Sequence, residues 1–417
     1  MHLREFFRTG HRGSLISAFL YFDVSFMVWV LIGALGSSIA DDLHLNSAGK
    51  GLIVAVPLLG GSILRVVLGV LTDRIGAYRT GLIGLALTFV PLVLAWLWAD
   101  STPKLIVVGL MLGVAGASFA AALPLASRWY PPEHQGLALG IAGAGNSGTA
   151  LATFFAPMLA AALGWHAVFG LAVIPVLVVA VIFAVLAKDS PNQPPPQSLG
   201  NYAAVLGRAD TWWLNGFYAV TFGGFVGLAS FLSIFFHDQY GLEKTTAGRF
   251  ATLCVIAGSF LRPVGGYLAD RVGGARLLIA IYVGVAVLMT AAAVLPPLAL
   301  ATTLLFLGMG VLGMGNGAVF QLVPQRFRQE IGVVTGIVGA AGGLGGFLLP
   351  MALGGLKELT ATFATGFLIF AAVGLTAAVG MVYRSRNWSG RVAPAPAREI
   401  LPAPSLTMEG ELVPETV

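Results

Sequence analysis

Gly69-Val70-Leu71-Thr72-Asp73-Arg74-Ile75-Gly76-Ala77-Tyr78-Arg79 returns later in the chain as Gly266-Tyr267-Leu268-Ala269-Asp270-Arg271-Val272-Gly273-Gly274-Ala275-Arg276. Six positions agree, all offset by 197 residues, and the arginines eight residues upstream of each aspartate, Arg65 and Arg262, make a seventh pair. A register kept over half a chain marks a duplicated unit. Both arginines lie inside apolar runs long enough to cross a bilayer, where a charge costs several kcal/mol unless it has a use.

Composition sets the solvent. Hydrophobic residues make up 57% of the 417 and charged residues only 10%, with a mean hydropathy of +0.88. Soluble domains carry about 25% charged residues, so the chain reads as an all-α membrane protein. Twelve apolar segments can be marked, each near the ~20 residues that a ~30 Å hydrocarbon core demands. They run over 14–38, 47–72, 77–99, 103–127, 134–160 and 166–188, then 212–236, 245–269, 275–296, 299–323, 331–355 and 361–384. Helix is the only reading for them, because lipid cannot satisfy open backbone groups. Residues 1–188 thus form an N-terminal six-helix bundle and 209–384 a C-terminal one. Residues 189–208, with Pro194-Pro195-Pro196, read as a cytoplasmic linker, and 385–417 as a disordered Pro-rich cytoplasmic tail. Arg4, Arg8 and Arg12 precede an apolar run too long for a signal peptide, so a retained first helix is expected.

Basic residues fix an expected orientation. Sixteen Lys and Arg fall on the side of the termini and five on the other, the last two of the 23 being Arg65 and Arg262. That asymmetry places both termini in the cytoplasm, with the chain in the cytoplasmic (inner) membrane. The scattered positive charge is no nucleic-acid footprint. The single cysteine, Cys254, excludes a disulfide framework within the chain and reads as a small core residue. His2, His11, His44, His134, His166 and His237 lie in arms, loops or segment ends, without metal-ligand spacing. No phosphate-binding loop, nucleophile motif or carboxylate pair is present, so the expectation is a secondary transporter with no metal or cofactor, not an enzyme.

Arg65 and Arg262 each precede their aspartates by eight residues, about 12 Å of helix, which sets them near the bilayer middle. Asp23 is the only carboxylate well inside an apolar span. One acid cannot neutralise two arginines in separate halves, so a positive excess and an anionic substrate are expected. A guanidinium offers paired, coplanar donors that suit a small planar oxyanion. Asp23, about 13 Å into the first helix, reads either as a proton acceptor or as a structural partner of a helix end or an arginine.

The repeated Gly-x-Leu-x-Asp-Arg-x-Gly-x-x-Arg loop resembles the signature loop of the major facilitator superfamily. That resemblance implies two pseudo-symmetric six-helix bundles around a central cavity, working by alternating access. Gly69, Asp73, Arg74, Gly266, Asp270 and Arg271 would then serve gating, the aspartates pairing with cations or helix N-termini in one conformation and releasing in the other. Two glycine-rich stretches narrow the likeness: Gly140-Ile141-Ala142-Gly143-Ala144-Gly145-Asn146-Ser147-Gly148 and Gly336-Ile337-Val338-Gly339-Ala340-Ala341-Gly342-Gly343-Leu344-Gly345-Gly346. Spacings of three and four align Gly140 with Gly143, and Gly336 with Gly339, Gly343 and Gly346, with Gly145 and Gly148 beside the first pair. Close packing explains part of this pattern, and glycine faces also let helices slide and bring backbone near an ion. The stretches resemble the paired signature segments of the nitrate/nitrite porter family. Phe26-Met27-Val28-Trp29, Gly116-Ala117-Ser118-Phe119, Tyr218 to Phe222-Gly223 and Gly315-Asn316-Gly317-Ala318-Val319-Phe320 are similar to that family too. The resemblance implies that Arg65 and Arg262 clamp the anion and that Asn146 and Tyr218 hydrogen-bond it. Phe119 and Phe320 would wall the site. Nitrate or nitrite, moved with protons or in exchange, is the expected substrate, carried by a monomer. A carrier of small organic anions such as a dicarboxylate, an anion-binding sensor and an anion channel are the rival readings.

Overall fold

The computed structural model describes residues 6, 9–191, 193, 199–327 and 331–389, and among them every regular element is helical. Eleven helices are long and apolar enough to cross a membrane. These are α2 (Ser47–Ile75), α3 (Ala77–Leu97), α4 (Thr102–Gly116 and Phe119–Ser127), α5 (Pro132–Gly143 and Gly148–Leu163), α6 (Trp165–Leu186), α7 (Ala209–Tyr240), α8 (Lys244–Phe260 and Arg262–Val272), α9 (Gly274–Ala293), α10 (Leu298–Arg326), α11 (Ile331–Thr360) and α12 (Ala364–Ser389). The first span, α1, completes the twelve as three consecutive pieces, Arg12–Trp29, Leu31–Ala34 and Gly36–Asp42. The expected single segment over 14–38 is therefore broken at Val30 and Leu35. The breaks lie where α1 presses onto α7: a Cβ at Gly33 would strike the Ser230 backbone, and one at Gly36 the Ile234 side chain.

The linker contains a short helix over Leu199–Leu206. α12 runs to Ser389, past the last apolar residue, because Arg384 and the Trp388 indole both donate to Asp210 at the start of α7. Residues 390–417, most of the expected tail, lie outside the described residues.

Twelve spans bring Arg12 at the start of α1 and Ser389 at the end of α12 to one face. On the opposite face the two halves are tied together. Lys50 on α2 pairs with Asp238 on α7 at 2.6 Å, and Lys244 on α8 pairs with Asp41 on α1 at 2.5 Å. The lysines open α2 and α8 and the acids close α1 and α7, so the duplication supplies each half with one cation and one acid for its partner. The Ser47 amide also donates to Glu358 on α11, and the Thr153 and Thr252 hydroxyls meet at 2.8 Å between α5 and α8. Toward the termini the contact gives out. A Cβ at Gly140 or Gly336 would meet nothing within 4 Å. The halves are closed on the face away from the termini and parted on the other.

The two signature loops differ in this state. Asp73 accepts from Arg128 at 3.1 Å and from the Tyr202 hydroxyl of the linker helix at 3.3 Å. Burial and then the Asp73 carboxylate push the Tyr202 hydroxyl up to about 12, so it stays a donor at any working pH. Asp270 is exposed and makes no ion pair among the described residues. Gly76 and Gly273 each take φ +90°, a backbone turn that glycine enters freely, which lets α3 and α9 start at once.

Reversing one charge of the closed face, Lys50→Glu, should open it, since a pair only 16% exposed on each side is replaced by repulsion. A cysteine placed at Ser47 should then react with a membrane-impermeant thiol reagent about fivefold faster. The lone native Cys254 is buried and contributes no background. The double exchange Lys50→Glu with Asp238→Lys should restore the slow rate.

Candidate substrate site

Arg65 is fully buried at the centre of α2. Its Nη1 donates to the Gly339 carbonyl of α11 at 2.6 Å, and its Nη2 to the Gly116 carbonyl of α4 at 2.7 Å. The second acceptor exists because α4 is interrupted. The Ala120 amide turns back to Ala117, so the Gly116 oxygen is released from the helix ladder and taken by the guanidinium. Gly116 has no room for a side chain there, since a Cβ would enter the Trp29 indole. Three rings surround the cation: Phe119 and Phe222 at 5.2 Å and Trp29 at 5.6 Å from Cζ. Such faces attract cations.

Arg262 is held differently. Pro263 follows it and removes a helix donor, so α8 breaks at Leu261 and Arg262 opens the second piece. The matching residue on α2 is Val66, and α2 runs through unbroken. The Arg262 guanidinium lies 5.8 Å from the Phe119 ring and against Gly143 of α5, where a Cβ would touch Cζ and Nε at 3.8 Å. Its Nη1 is buried with no hydrogen-bond partner, as is Nε of Arg65. Phe119 is therefore shared by the two cations, one from each half. No carboxylate approaches either guanidinium within 4.0 Å among the described residues.

The other residues marked in the sequence gather at the same level. Phe320 packs on Phe119 at 5.8 Å and edge-on to Tyr218 at 4.9 Å. The Tyr218 hydroxyl lies beside Arg262 but is not aligned for a full hydrogen bond. Asn146 is fully buried and neither amide atom has a partner. It sits in a tight 3-10 turn over Ala144–Ser147, between the two pieces of α5. The glycines divide by task. Gly143 and Gly339 touch the arginines, Gly343 touches Ser62 on α2, Gly346 packs on Val226, and Gly145 and Gly148 clear the α1 backbone at Asp23. Gly140 and Gly336 face open space. The signature-loop residues Gly69, Asp73, Arg74, Gly266, Asp270 and Arg271 lie toward the termini, away from this cluster.

Asp23 is half-buried and accepts from the Ser147 hydroxyl at 2.6 Å, next to the Asn146 turn. Among the described residues it has no cationic partner within 4.0 Å. Trp29, Phe222 and Asn316 join the site beyond the residues that the sequence motifs single out. Trp29 and Phe222 enclose Arg65, and Asn316 is a second fully buried amide with both atoms unpartnered. An asparagine between two glycines deep in an apolar span was the available signal for Asn316.

Two halves closed on one face, with an uncompensated cationic centre between them, define a membrane carrier. The Major Facilitator Superfamily profile matches residues 17–350, and the chain belongs to that family. It is 35% identical over 359 residues to the "Nitrite extrusion protein" of Bacillus subtilis, covering 86% of this chain and 90% of that one. It is 36% identical over 386 residues to the "Probable nitrate/nitrite transporter NarK2" of Mycobacterium tuberculosis, covering 91% and 98%. A crystal structure of a D-xylose-proton symporter superposes with a TM-score of 0.72 at 17% identity, over 88% of this chain and 96% of that one, which shows a shared fold.

The two arginine-facing glycines should respond unequally to a methyl group. At Gly339 an added Cβ would lie 3.0 Å from Cδ of Arg65, whose guanidinium is pinned by two carbonyls, whereas at Gly143 the nearest atom is 3.8 Å away. Gly339→Ala should weaken anion binding at least tenfold and Gly143→Ala less than threefold, read by isothermal titration of the purified carrier.

Proposed function

We propose that this protein moves nitrate or nitrite across the cytoplasmic membrane by alternating access, with both termini in the cytoplasm. The observation that carries the reading is the arginine pair: two guanidiniums share Phe119, lack carboxylate company and keep buried donors unused. A buried charge without a partner is strongly unfavourable, and a flat monovalent oxyanion relieves it with paired, coplanar bonds. The printed names of the relatives point to the same substrates. The anion bridges Arg65 and Arg262, with Asn146 and Tyr218 adding hydrogen bonds and Phe119 and Phe320 closing the walls. It draws the halves together on the cytoplasmic side. The parted face seen here is the cytoplasmic one, given the sixteen basic residues on that side against five on the other.

Asp23 favours proton-coupled uptake over pure exchange. It is a carboxylate at membrane depth with a hydroxyl partner and no cation, so it can hold a proton without losing an ion pair. Exchange of nitrate for nitrite is the second reading, in keeping with a relative from Thermus thermophilus, 32% identical over 367 residues, described as a "Probable nitrate/nitrite antiporter". The site is complete within one chain, and the carrier acts as a monomer.

Proteoliposomes loaded with or without nitrite, and held with or without an inward-acid pH gradient, distinguish these modes. Labelled nitrate should enter, and a panel of small carboxylates should not compete. Arg65→Lys and Arg262→Lys should each abolish uptake at wild-type expression, because lysine keeps the charge and loses the fork. Asp23→Asn should remove the response to the pH gradient and leave exchange against internal nitrite. Full uptake in either lysine variant refutes the clamp.

A further inference from the structure

Ser62 and Ser259 are 197 residues apart, the offset of the duplicated loops, and each stands three residues before its arginine. On α2 that spacing puts hydroxyl and guanidinium on one face, the serine one turn nearer the closed side; on α8 the serine lies in the last turn of the first piece and the arginine opens the second. Both are buried, at 3% and 1% exposure. Ser62 Oγ donates to the Ala340 carbonyl of α11 at 2.5 Å, and Ser259 Oγ to the Asn146 carbonyl of α5 at 3.4 Å. Each bond leaves its own half and ends on the glycine-rich helix of the other.

This is unusual for a hydroxyl in mid-helix, which commonly turns back to the carbonyl four residues earlier. Thr80, Thr88, Thr252, Thr303 and Thr376 all do so in this protein. The two serines do not, and their acceptors are the residues of the site. Ala340 follows Gly339, whose carbonyl holds Arg65, and Asn146 carries the unpartnered amide. Serine also meets the steric demand at Ser62, where α11 comes so near that a Cβ on Gly343 would lie 2.9 Å from the serine Cβ.

We infer that Ser62 and Ser259 are a repeat-related pair of positioning residues that fix the gap between each arginine-bearing helix and the glycine-rich helix opposite, and thereby set the affinity for the anion. Ser62 fixes the Gly339 carbonyl against Arg65. Ser259 fixes the turn that presents Asn146. The inference rests on the nitrate and nitrite reading of the site. Neither serine touches the anion, so its loss alters how well the site is assembled and leaves the rocking step nearly as fast.

The test is initial-rate nitrate uptake by the full chain in proteoliposomes, with KM and Vmax determined separately. Ser62→Ala should raise KM about fivefold, the factor that one net hydrogen bond supplies, and keep Vmax within twofold. Ser259→Ala, which loses the longer bond, should raise KM about twofold. Ser62→Cys, with a weaker donor of similar size, should fall between wild type and Ser62→Ala, and it serves if the alanine variant does not reach the membrane. A wild-type KM in both Ser62 variants, or a fall in Vmax at unchanged KM, overturns the inference and leaves the anion reading standing. A wild-type protein that moves neither nitrate nor nitrite overturns that reading and this inference together.

Discussion

The structure depends on a repulsion left in place. Two guanidiniums approach one phenylalanine ring from opposite halves in an interior of low dielectric, with no carboxylate within 4.0 Å of either among the described residues. Like charges so placed oppose closure of the halves around an empty centre. The protein lowers this strain with what it has: carbonyls released from helix ladders, aromatic faces and neutral amides. None of these removes the net charge. The carbonyls take both terminal nitrogens of Arg65, and Nε of Arg65 and Nη1 of Arg262 each remain a buried donor without a partner.

The interface is crossed in its logic. Each arginine-bearing helix faces the glycine-rich helix of the opposite half, α2 against α11 and α8 against α5. The same crossing recurs on the closed face, where each half lends a lysine and receives an aspartate. A single duplicated unit thus encodes the centre and the outer seal, because any contact made by one copy is offered again by the other with the roles exchanged. Glycine is the residue that permits this closeness at the centre. At Gly143 and Gly339 the missing side chain is the space the guanidinium occupies or grazes.

Much of this could be read from the chain. Length and hydropathy gave the spans, the offset gave the duplication, and a charge in an apolar run singled out Arg65 and Arg262. The helix interruptions were not legible, and the site is built on them. The breaks in α1 and α4 fall at Leu35 and Ala117, good helix formers in isolation, whereas the break in α5 lies in a run of Gly, Asn and Ser that disfavours helix without marking where the helix stops. They are imposed by tertiary contacts: the Trp29 indole against Gly116, and the α1 backbone against Gly148. The break in α8 has the sharpest local cause in the sequence, Pro263. Ser62 and Ser259 are not legible in the sequence, because a hydroxyl in mid-helix ordinarily bonds back to its own helix and nothing in one dimension says that these two reach across.

The pairing of Val66 with Pro263 carries a mechanical consequence. α2 runs through Arg65 without interruption, with Pro57 earlier in the same helix, whereas α8 is interrupted at Leu261, directly before Arg262, and its first piece is tied to the closed face through Lys244. Duplication therefore kept the two arginines at one register and gave them differently shaped supports: one sits within a helix and the other at the start of one.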